Sequence, residues 1–537
     1  MKPNILTALV IAALLASPLR AEESKPSPAA SADRVADFGI NLDGPVDYGT
    51  EFPFVDLMKT SREWISQREG VWDSKEPIDV DEFGNVKSLL PGQWAVTLMA
   101  TETGKIVPPG RYRFFYEGEG EVTWDGLGRF VENAGPGRDI IEVTQGDATY
   151  IKMTIKSVNP ENPLRNLHFV RPGHEETFKQ EPFGPEFLAL WTKAGTFRFM
   201  DWMRTNNATE NKTWADRTRP EDVRYNRKSG VPIEVMVELC NQTGANGWFC
   251  IPHLADDDYI RKIATMIREK LDPSLVATFE FSNEVWNGMF SQSQWADKQG
   301  MAQGLGTKPW EAGWAHYSKD CRRMADIVDE VYAADPQRRR RVVSSQAANT
   351  HIIKQILKDN DLAKHCDAIG IAPYVTLNVP VEGKDGSPGA AEVAGWSMDR
   401  LFEHLRDVCL PESTGRMDKH AEVARANGLD LVAYEGGQHL SALGEAMNNK
   451  ELVEILINAN RDPRMGDIYT DYINHWTEAG GKLHNFFTSV GRFGRYGAWG
   501  HLEAFNQDPA TAPKYLAALK WADSRAQVAG ESQAPGQ

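Results

Sequence analysis

Two glutamates occupy matching places in the sequence, each at the end of a short apolar run. Residues 278–287 read TFEFSNEVWN, and Glu284 follows β-branched and aromatic residues typical of a strand. Residues 429–437 read LDLVAYEGG, and Glu435 follows an apolar run there and precedes two glycines. A single such glutamate is typical of a solvated strand end. Two in matching places favour a carboxylate pair, the arrangement with which glycosidic bonds are hydrolysed.

The elements that position these glutamates repeat along the chain. Helical patterns separate the strand-like runs. The clearest helical pattern covers residues 256–271, with Asp256 as its cap, one apolar face, and Pro273 after its end. Apolar strands that alternate with helices predict a parallel sheet, and eight strands predict an α/β fold with a closed (β/α)8 TIM barrel. The predicted strands are residues 38–42, 196–202, 247–253, 276–284, 341–346, 368–374, 429–435 and 482–490. The two glutamates therefore end the fourth and the seventh strand.

One interval breaks the repeat. More than 150 residues separate the first predicted strand from the second, and residues 83–172 hold short strand-like runs divided by glycine and proline. This pattern predicts a small all-β, sandwich-like domain inserted after the first strand. A loop after a barrel strand opens on the C-terminal face, where active sites lie. The insert is therefore expected to wall the substrate cleft, or to act as a spacer, and the sequence does not decide between the two roles.

The N-terminal residues indicate export. Residues 1–21 combine the basic Lys2, a short apolar run and Ala21 before acidic residues, which predicts a signal peptide. A flexible leader is expected at residues 22–36 and a disordered tail at 526–537. The first part of the barrel is assigned to residues 37–82 and the second to residues 173–525. No later run is long enough and apolar enough to span a membrane, so the protein is expected to be secreted or periplasmic.

Composition excludes several classes of partner. The 537 residues carry a formal net charge of −16, which argues against nucleic acid as a partner and disfavours a polyanionic substrate. The spacing of the five cysteines fits no zinc site, and there is no phosphate loop or dinucleotide motif. We therefore expect neither a metal nor a cofactor. Two cysteine pairs remain open as disulfides, Cys240 with Cys250 and Cys366 with Cys409.

The strand layout, with FEFSNE ending the fourth strand and VAYEGG ending the seventh, resembles the clan-A retaining glycoside hydrolases. The resemblance covers residues 37–50 and 173–525 and implies that Glu284 is the general acid/base and Glu435 the nucleophile. Asn283 is then expected to hydrogen-bond the 2-hydroxyl of the sugar. The alternative role of Asn283 is to cap the end of the strand.

Other strand ends supply residues that the resemblance marks as substrate-binding. Arg198 matches the arginine that keeps the nucleophile ionised, and its alternative role is a structural salt bridge to Glu280. His253 and Tyr374 match residues that contact the substrate and the nucleophile, with purely structural roles as the alternative. The candidates for a sugar-stacking platform, of which at least one is expected to be buried packing, are Trp202, Trp286 and Trp499.

The predicted function is that of a secreted retaining glycoside hydrolase. Its substrate would be a carbohydrate, and we expect cleavage of β-glycosidic bonds in a neutral polysaccharide or oligosaccharide by double displacement. The segments FMDWMRTN and CIPHLADDD match no single subfamily, so the choice among glycans stays open. The alternative is a catalytically inactive barrel protein that binds glycans.

Overall fold

The computed structural model describes residues 34–384 and 386–533, with side chains to residue 527. Its centre is a closed barrel of eight parallel strands that follow one another around the barrel in chain order. The predicted barrel and its eight strands are confirmed. The strands are Val35–Asn41, Ala194–Arg198, Asn246–Ile251, Ala277–Phe281, Arg339–Ser344, Ala368–Ile371, Asp430–Ala433 and His484–Phe486. The predicted signal peptide and most of the leader lie outside the described residues, and the first strand begins at Val35, inside the predicted leader.

Helices cover the outside of the barrel. The helix predicted at 256–271 is Asp257–Lys270, and the Asp256 carboxylate accepts a hydrogen bond from the backbone of Tyr259 as its cap. The last helix continues to Gln533 and so overlaps residues 526–533 of the predicted tail. The helices are Pro185–Leu190, Ile233–Thr243, Asp257–Lys270, Ser291–Ala302, Pro309–Val331, Thr350–Lys358, Ala390–Ala394, Met398–His404, Leu410–Asn427, Lys450–Arg461, Arg464–Glu478 and Pro513–Gln533.

The predicted all-β insert consists of two four-stranded antiparallel sheets. Trp124 of the first sheet packs on Phe114 and Phe169 of the second, with ring centroids 5.2 and 4.6 Å apart, so the sheets form a sandwich. The first sheet contains Ile65–Gln67, Trp94–Met99, Ile151–Val158 and Gly120–Gly126, and the second contains Arg165–Val170, Gly110–Glu117, Arg138–Val143 and Gly128–Asn133. The insert therefore begins before residue 83, at the strand Ile65–Gln67. The sequence did not indicate this start, because a strand of three residues leaves no periodic signal.

The insert contacts two loops that follow barrel strands. Asp47, after the first strand, accepts hydrogen bonds from Arg62 at 2.6 Å and from the Thr101 hydroxyl at 2.7 Å. Arg492, after the eighth strand, donates to Glu102 at 2.8 Å. Both loops leave the C-terminal ends of barrel strands. The turn of the insert that contains Thr101 and Glu102 therefore lies beside the face of the barrel that carries the two glutamates.

All five cysteines are free and buried, so neither of the two possible disulfides is formed. Burial raises the pKa of Cys366 and Cys409 to about 12, which keeps both thiols protonated. Among the helices that the structure describes, none is both long enough and apolar enough to cross a bilayer.

Candidate active site

Arg198 joins the ends of four barrel strands. It is the last residue of the second strand and its side chain is fully buried. Its guanidinium donates to Glu435 at 2.9 Å and to Asn41 at 2.9 Å through one nitrogen. A second nitrogen donates to Glu280 and to Asn283, both at 2.8 Å. One cation therefore orients the carboxylate at the end of the seventh strand and the amide at the end of the fourth.

Both roles considered for Arg198 occur together in the structure. Glu280 is fully buried and forms an ion pair with the guanidinium. The Glu280 carboxylate also accepts hydrogen bonds from Trp248 at 2.9 Å and from Ser344 at 2.6 Å. A buried ion pair is tolerated when further hydrogen bonds satisfy its atoms, as they do here. Glu280 thus balances the charge of Arg198 inside the barrel while Glu435 stays nearer the mouth.

Glu435 is held by one cation and one neutral donor. Arg198 donates to its first carboxylate oxygen, and the Tyr374 hydroxyl donates to the second at 2.9 Å. Burial raises the pKa of Glu435 to about 7, and the charge of Glu284 adds to the rise, whereas Arg198 and Tyr374 oppose it. The direct contact with Arg198 favours Glu435 as the ionised member of the glutamate pair.

Glu284 has a different environment. Its two carboxylate oxygens accept from the Tyr434 hydroxyl and from the Asn287 amide, each at 2.9 Å. Both partners are neutral donors, and the carboxylate is partly exposed. Ser282 and Glu284 have left-handed φ angles of 60° and 43°, which are costly for residues other than glycine. Strain of this kind persists where the surrounding contacts impose it, and it is concentrated at functional sites.

Asn283 is buried, and its amide is held at both ends. Its oxygen accepts from Arg198, and its nitrogen donates to Asn206 at 3.0 Å. Gln292 then ties the Asn206 side chain and the Asn283 backbone together, with both hydrogen bonds at 2.8 Å. These contacts fix the orientation of the amide. Its hydrogen bond to a sugar stays a prediction.

The remaining predicted residues divide into site and core. Trp202 is fully buried and packs on Phe54 and Phe199, so we assign it to the core and no longer to a sugar platform. The reason is that the second strand ends at Arg198 and not at residue 202, so Trp202 follows in a turn. His253 is buried against Trp295, and burial lowers its pKa to about 4, which keeps the ring neutral at neutral pH.

Trp286 and Trp499 are both partly exposed, and each packs beside a tyrosine that donates to one of the two glutamates. The ring of Trp286 lies 6.0 Å from that of Tyr434, which donates to Glu284. The ring of Trp499 lies 6.3 Å from that of Tyr374, which donates to Glu435. Their role as a sugar-stacking platform stays a prediction.

Several contacting residues were missed in the sequence. Tyr434 and Asn287 lie inside the two glutamate motifs. Their closeness in sequence to Glu435 and Glu284 could have marked them as site residues. Asn41 ends the first strand and touches Arg198, but nothing in its local sequence marks that contact. His439 packs on Trp499 and Tyr374 with ring centroids 4.7 and 5.5 Å apart, and it also lacks a sequence signal.

Comparisons with known proteins find similarity in structure alone. No protein-family profile matches the chain, and no curated protein matches it. A 4-O-α-L-rhamnosyl-β-D-glucuronidase from Fusarium oxysporum is 12% identical, with a TM-score of 0.37 over 61% of this chain and 60% of that chain. An endo-β-1,4-mannanase from Thermotoga petrophila is 10% identical, with a TM-score of 0.36 over 64% of this chain and 73% of that chain.

A broad-specificity endoglucanase from Clostridium acetobutylicum is 12% identical, with a TM-score of 0.33 over 65% of this chain and 91% of that chain. All three similar structures are glycoside hydrolases, the class that the two glutamate motifs resemble. The chain spans 60% of the length of the glucuronidase. Because identity and TM-score are low throughout, the function is argued from the site itself.

Proposed function

We propose that the protein is a retaining glycoside hydrolase that cleaves β-glycosidic bonds of a neutral polysaccharide or oligosaccharide. The supporting observation is the pair of glutamates at the ends of the fourth and seventh strands. Glu435 is bound by a buried arginine, Glu284 is bound by neutral donors alone, and the charge of Glu284 acts on Glu435. When two carboxyl groups have different environments, one can act as the nucleophile and the other as the acid.

The proposed reaction has two steps. The Glu435 carboxylate attacks the anomeric carbon while the bond to the leaving oxygen breaks and Glu284 gives its proton to that oxygen. Esterified Glu435 carries no negative charge, so Glu284 then removes a proton from water, which attacks the same carbon and releases Glu435. Arg198 and Tyr374 hold the Glu435 oxygens in place through both steps. The described side chains suffice for this sequence of steps.

The residues around the site support the proposed substrate, and the N-terminal sequence supports the proposed location. Partly exposed Trp286 and Trp499 suit stacking on sugar rings. The net charge of −16 disfavours a polyanionic glycan, and the signal-like residues 1–21 support a secreted or periplasmic enzyme. An exported enzyme with aromatic side chains beside its carboxylates would meet polysaccharides outside the cell.

The test is the replacement of each glutamate in the mature protein. We expect Glu284→Gln and Glu435→Gln to lower turnover of an unactivated glycan by about 100- to 10,000-fold, since each removes a proton-transfer or nucleophilic group. Glu330→Gln, at an ion-paired and mostly solvent-exposed glutamate, is the matched control and keeps the parent rate. Azide should rescue Glu435→Gly and give the inverted product, because the small anion fits the emptied position.

Proton NMR of the first product distinguishes the mechanisms. Retention of the anomeric configuration is expected from the two-step reaction. An inverted first product, or activity that EDTA removes and a divalent ion restores, would contradict it. Glycan binding without turnover in the parent protein would instead support the inactive glycan-binding barrel.

A further inference from the structure

Two aspartates that the proposed reaction does not use stand next to each other at the barrel mouth. Asp43 follows the first strand by two residues, and Asp201 follows the second by three. The backbone of Asp43 is fixed, because its N–H donates to Ser489 at 3.1 Å and its carbonyl accepts from buried Trp202 at 2.9 Å. Both aspartates are partly exposed.

Neither carboxylate is neutralised by a cation in direct contact. Asp43 accepts a hydrogen bond from the backbone of Gly44 at 2.9 Å. Within the described residues, the Asp201 carboxylate has no hydrogen bond and no ion pair. The charge of Arg204 acts on both aspartates, but its guanidinium donates to Asn226 at 3.0 Å and makes no ion pair with either.

A third carboxyl group lies behind Asp43. Glu51 is 3% exposed and lines the same small cavity as Asp43. Neither Glu51 oxygen has a hydrogen bond of normal geometry in the described part of the chain, although nearby Ser489 partly offsets the effect of burial on its pKa. A buried carboxyl group without a well-formed hydrogen bond is costly.

The strands that lead to the two aspartates also carry residues that contact the segment of the nucleophile. Asn41, two residues before Asp43, donates to the backbone carbonyl of Tyr434 at 2.9 Å, and Arg198, three residues before Asp201, donates to Glu435 at 2.9 Å. The charge of Asp201 is among those that raise the pKa of Glu435, and the charge of Arg198 lowers that of Asp201. Burial, followed by repulsion from Asp201, raises the pKa of Asp43 to about 7. Asp43 and Asp201 therefore follow residues that contact Tyr434 and Glu435, on the face of the barrel that carries the nucleophile.

We propose that Asp43 and Asp201 are specificity-determining residues that bind two neighbouring hydroxyl groups of the sugar held against Glu435. The inference rests on the proposed glycosidase function. Ionised carboxylates only accept hydrogen bonds, and sugar hydroxyls donate them, so the unsatisfied oxygens match a vicinal diol. A uronate or sulfate at the same place would add a negative charge beside several carboxyl groups and is disfavoured.

The experiment uses the 4-nitrophenyl β-glycosides of glucose, mannose, galactose, xylose and glucuronic acid. We expect a neutral glycoside to be the best substrate, and Asp43→Asn and Asp201→Asn each to lower kcat/KM on it by about 10- to 100-fold, the range for a hydrogen bond to a charged group. The matched control is Asp139→Asn, because burial also raises the pKa of Asp139 but this residue lies in the β-sandwich.

Monodeoxy versions of the best substrate show whether the contact is direct. Removal of the contacted hydroxyl should lower kcat/KM of the parent and of Asp139→Asn by the same factor. In the variant that lacks the contacting aspartate, the same deoxy substrate should lower kcat/KM only slightly, because the contact is already lost. Deoxy penalties that stay undiminished in both aspartate variants would overturn the proposal. If Glu284→Gln and Glu435→Gln also keep activity, the glycosidase function itself fails.

Stability gives a readout that needs no substrate. Asp201→Asn should unfold at the same or a higher temperature than the parent at pH 8, because burial raises the pKa of Asp201 to about 6 and its ionised form is disfavoured in the folded state. A lower unfolding temperature at both pH 5 and pH 8 would show a structural role for Asp201 and overturn the proposal.

Discussion

The charge of Glu284 should be visible in the pH dependence of the enzyme through Glu435. The nucleophile must be ionised to attack, so kcat/KM falls as the pH drops through the pKa of Glu435 in the free enzyme. That pKa is raised from 4.5 to about 7. Repulsion from the charge of Glu284 is one cause of this rise. Glu284→Gln removes that charge, so the pKa of Glu435 should fall.

The size of the shift can be bounded. At a separation of ~5 Å and an effective dielectric constant of ~20, two unit charges repel by about 3 kcal/mol, or about 2 pKa units. The whole rise for Glu435 is from 4.5 to about 7, and burial is its largest cause. Arg198, which lowers this pKa, also acts more strongly than Glu284, and we expect the acidic limb to move down by about 1 unit.

The assay is kcat/KM from pH 4 to 9 on a 2,4-dinitrophenyl glycoside, whose leaving group needs no proton from residue 284. Tyr374→Phe is the counterpart with the opposite sign, because the Tyr374 hydroxyl hydrogen-bonds Glu435 and lowers its pKa. Its acidic limb should move up. An unchanged limb in Glu284→Gln, or a limb that moves up, would refute the electrostatic coupling of the two glutamates.

Two further predictions concern stability and the thiols. Because the folded-state pKa of Glu435 lies above its ordinary value, ionised Glu435 destabilises the fold as the pH rises from 4.5 to about 7. Glu435→Gln should therefore gain up to about 3 kcal/mol relative to the parent between pH 4.5 and 8, measured by urea unfolding, and a constant difference would contradict this. All five cysteines are free and buried, so Ellman's reagent should label none in the native protein and five after unfolding without reductant. Fewer than five would indicate a disulfide.

The barrel and the positions of its two glutamates were predictable because their signals are local. Each strand is a short apolar run and each helix has its own period, so their alternation can be read without knowledge of any long-range contact. A closed parallel barrel then requires that all strands end on one face. Glu284 and Glu435, at the ends of the fourth and seventh strands, had to share that face once the count of eight was right.

The bounds of strands and helices were less predictable where their sequence pattern is short or mostly polar. Ile65–Gln67 belongs to the sandwich only because it pairs with Trp94–Met99, a contact that a three-residue run does not indicate. The mostly polar helix Ser291–Ala302 lacks a clear apolar face in its sequence and was missed. Pairing and packing, which join distant segments, decided both cases.

The sequence by itself determined that the chain forms a barrel and that two glutamates meet at its mouth. Only the tertiary structure decided which neighbours surround them. Asn41 reaches Arg198 across 157 positions of the chain, and Trp202 turns into the core because its strand ends at Arg198. Asp43 and Asp201 come together in the same way. Their contacts depend on where each strand stops and which way the following turn points, and those features arise from packing between distant segments.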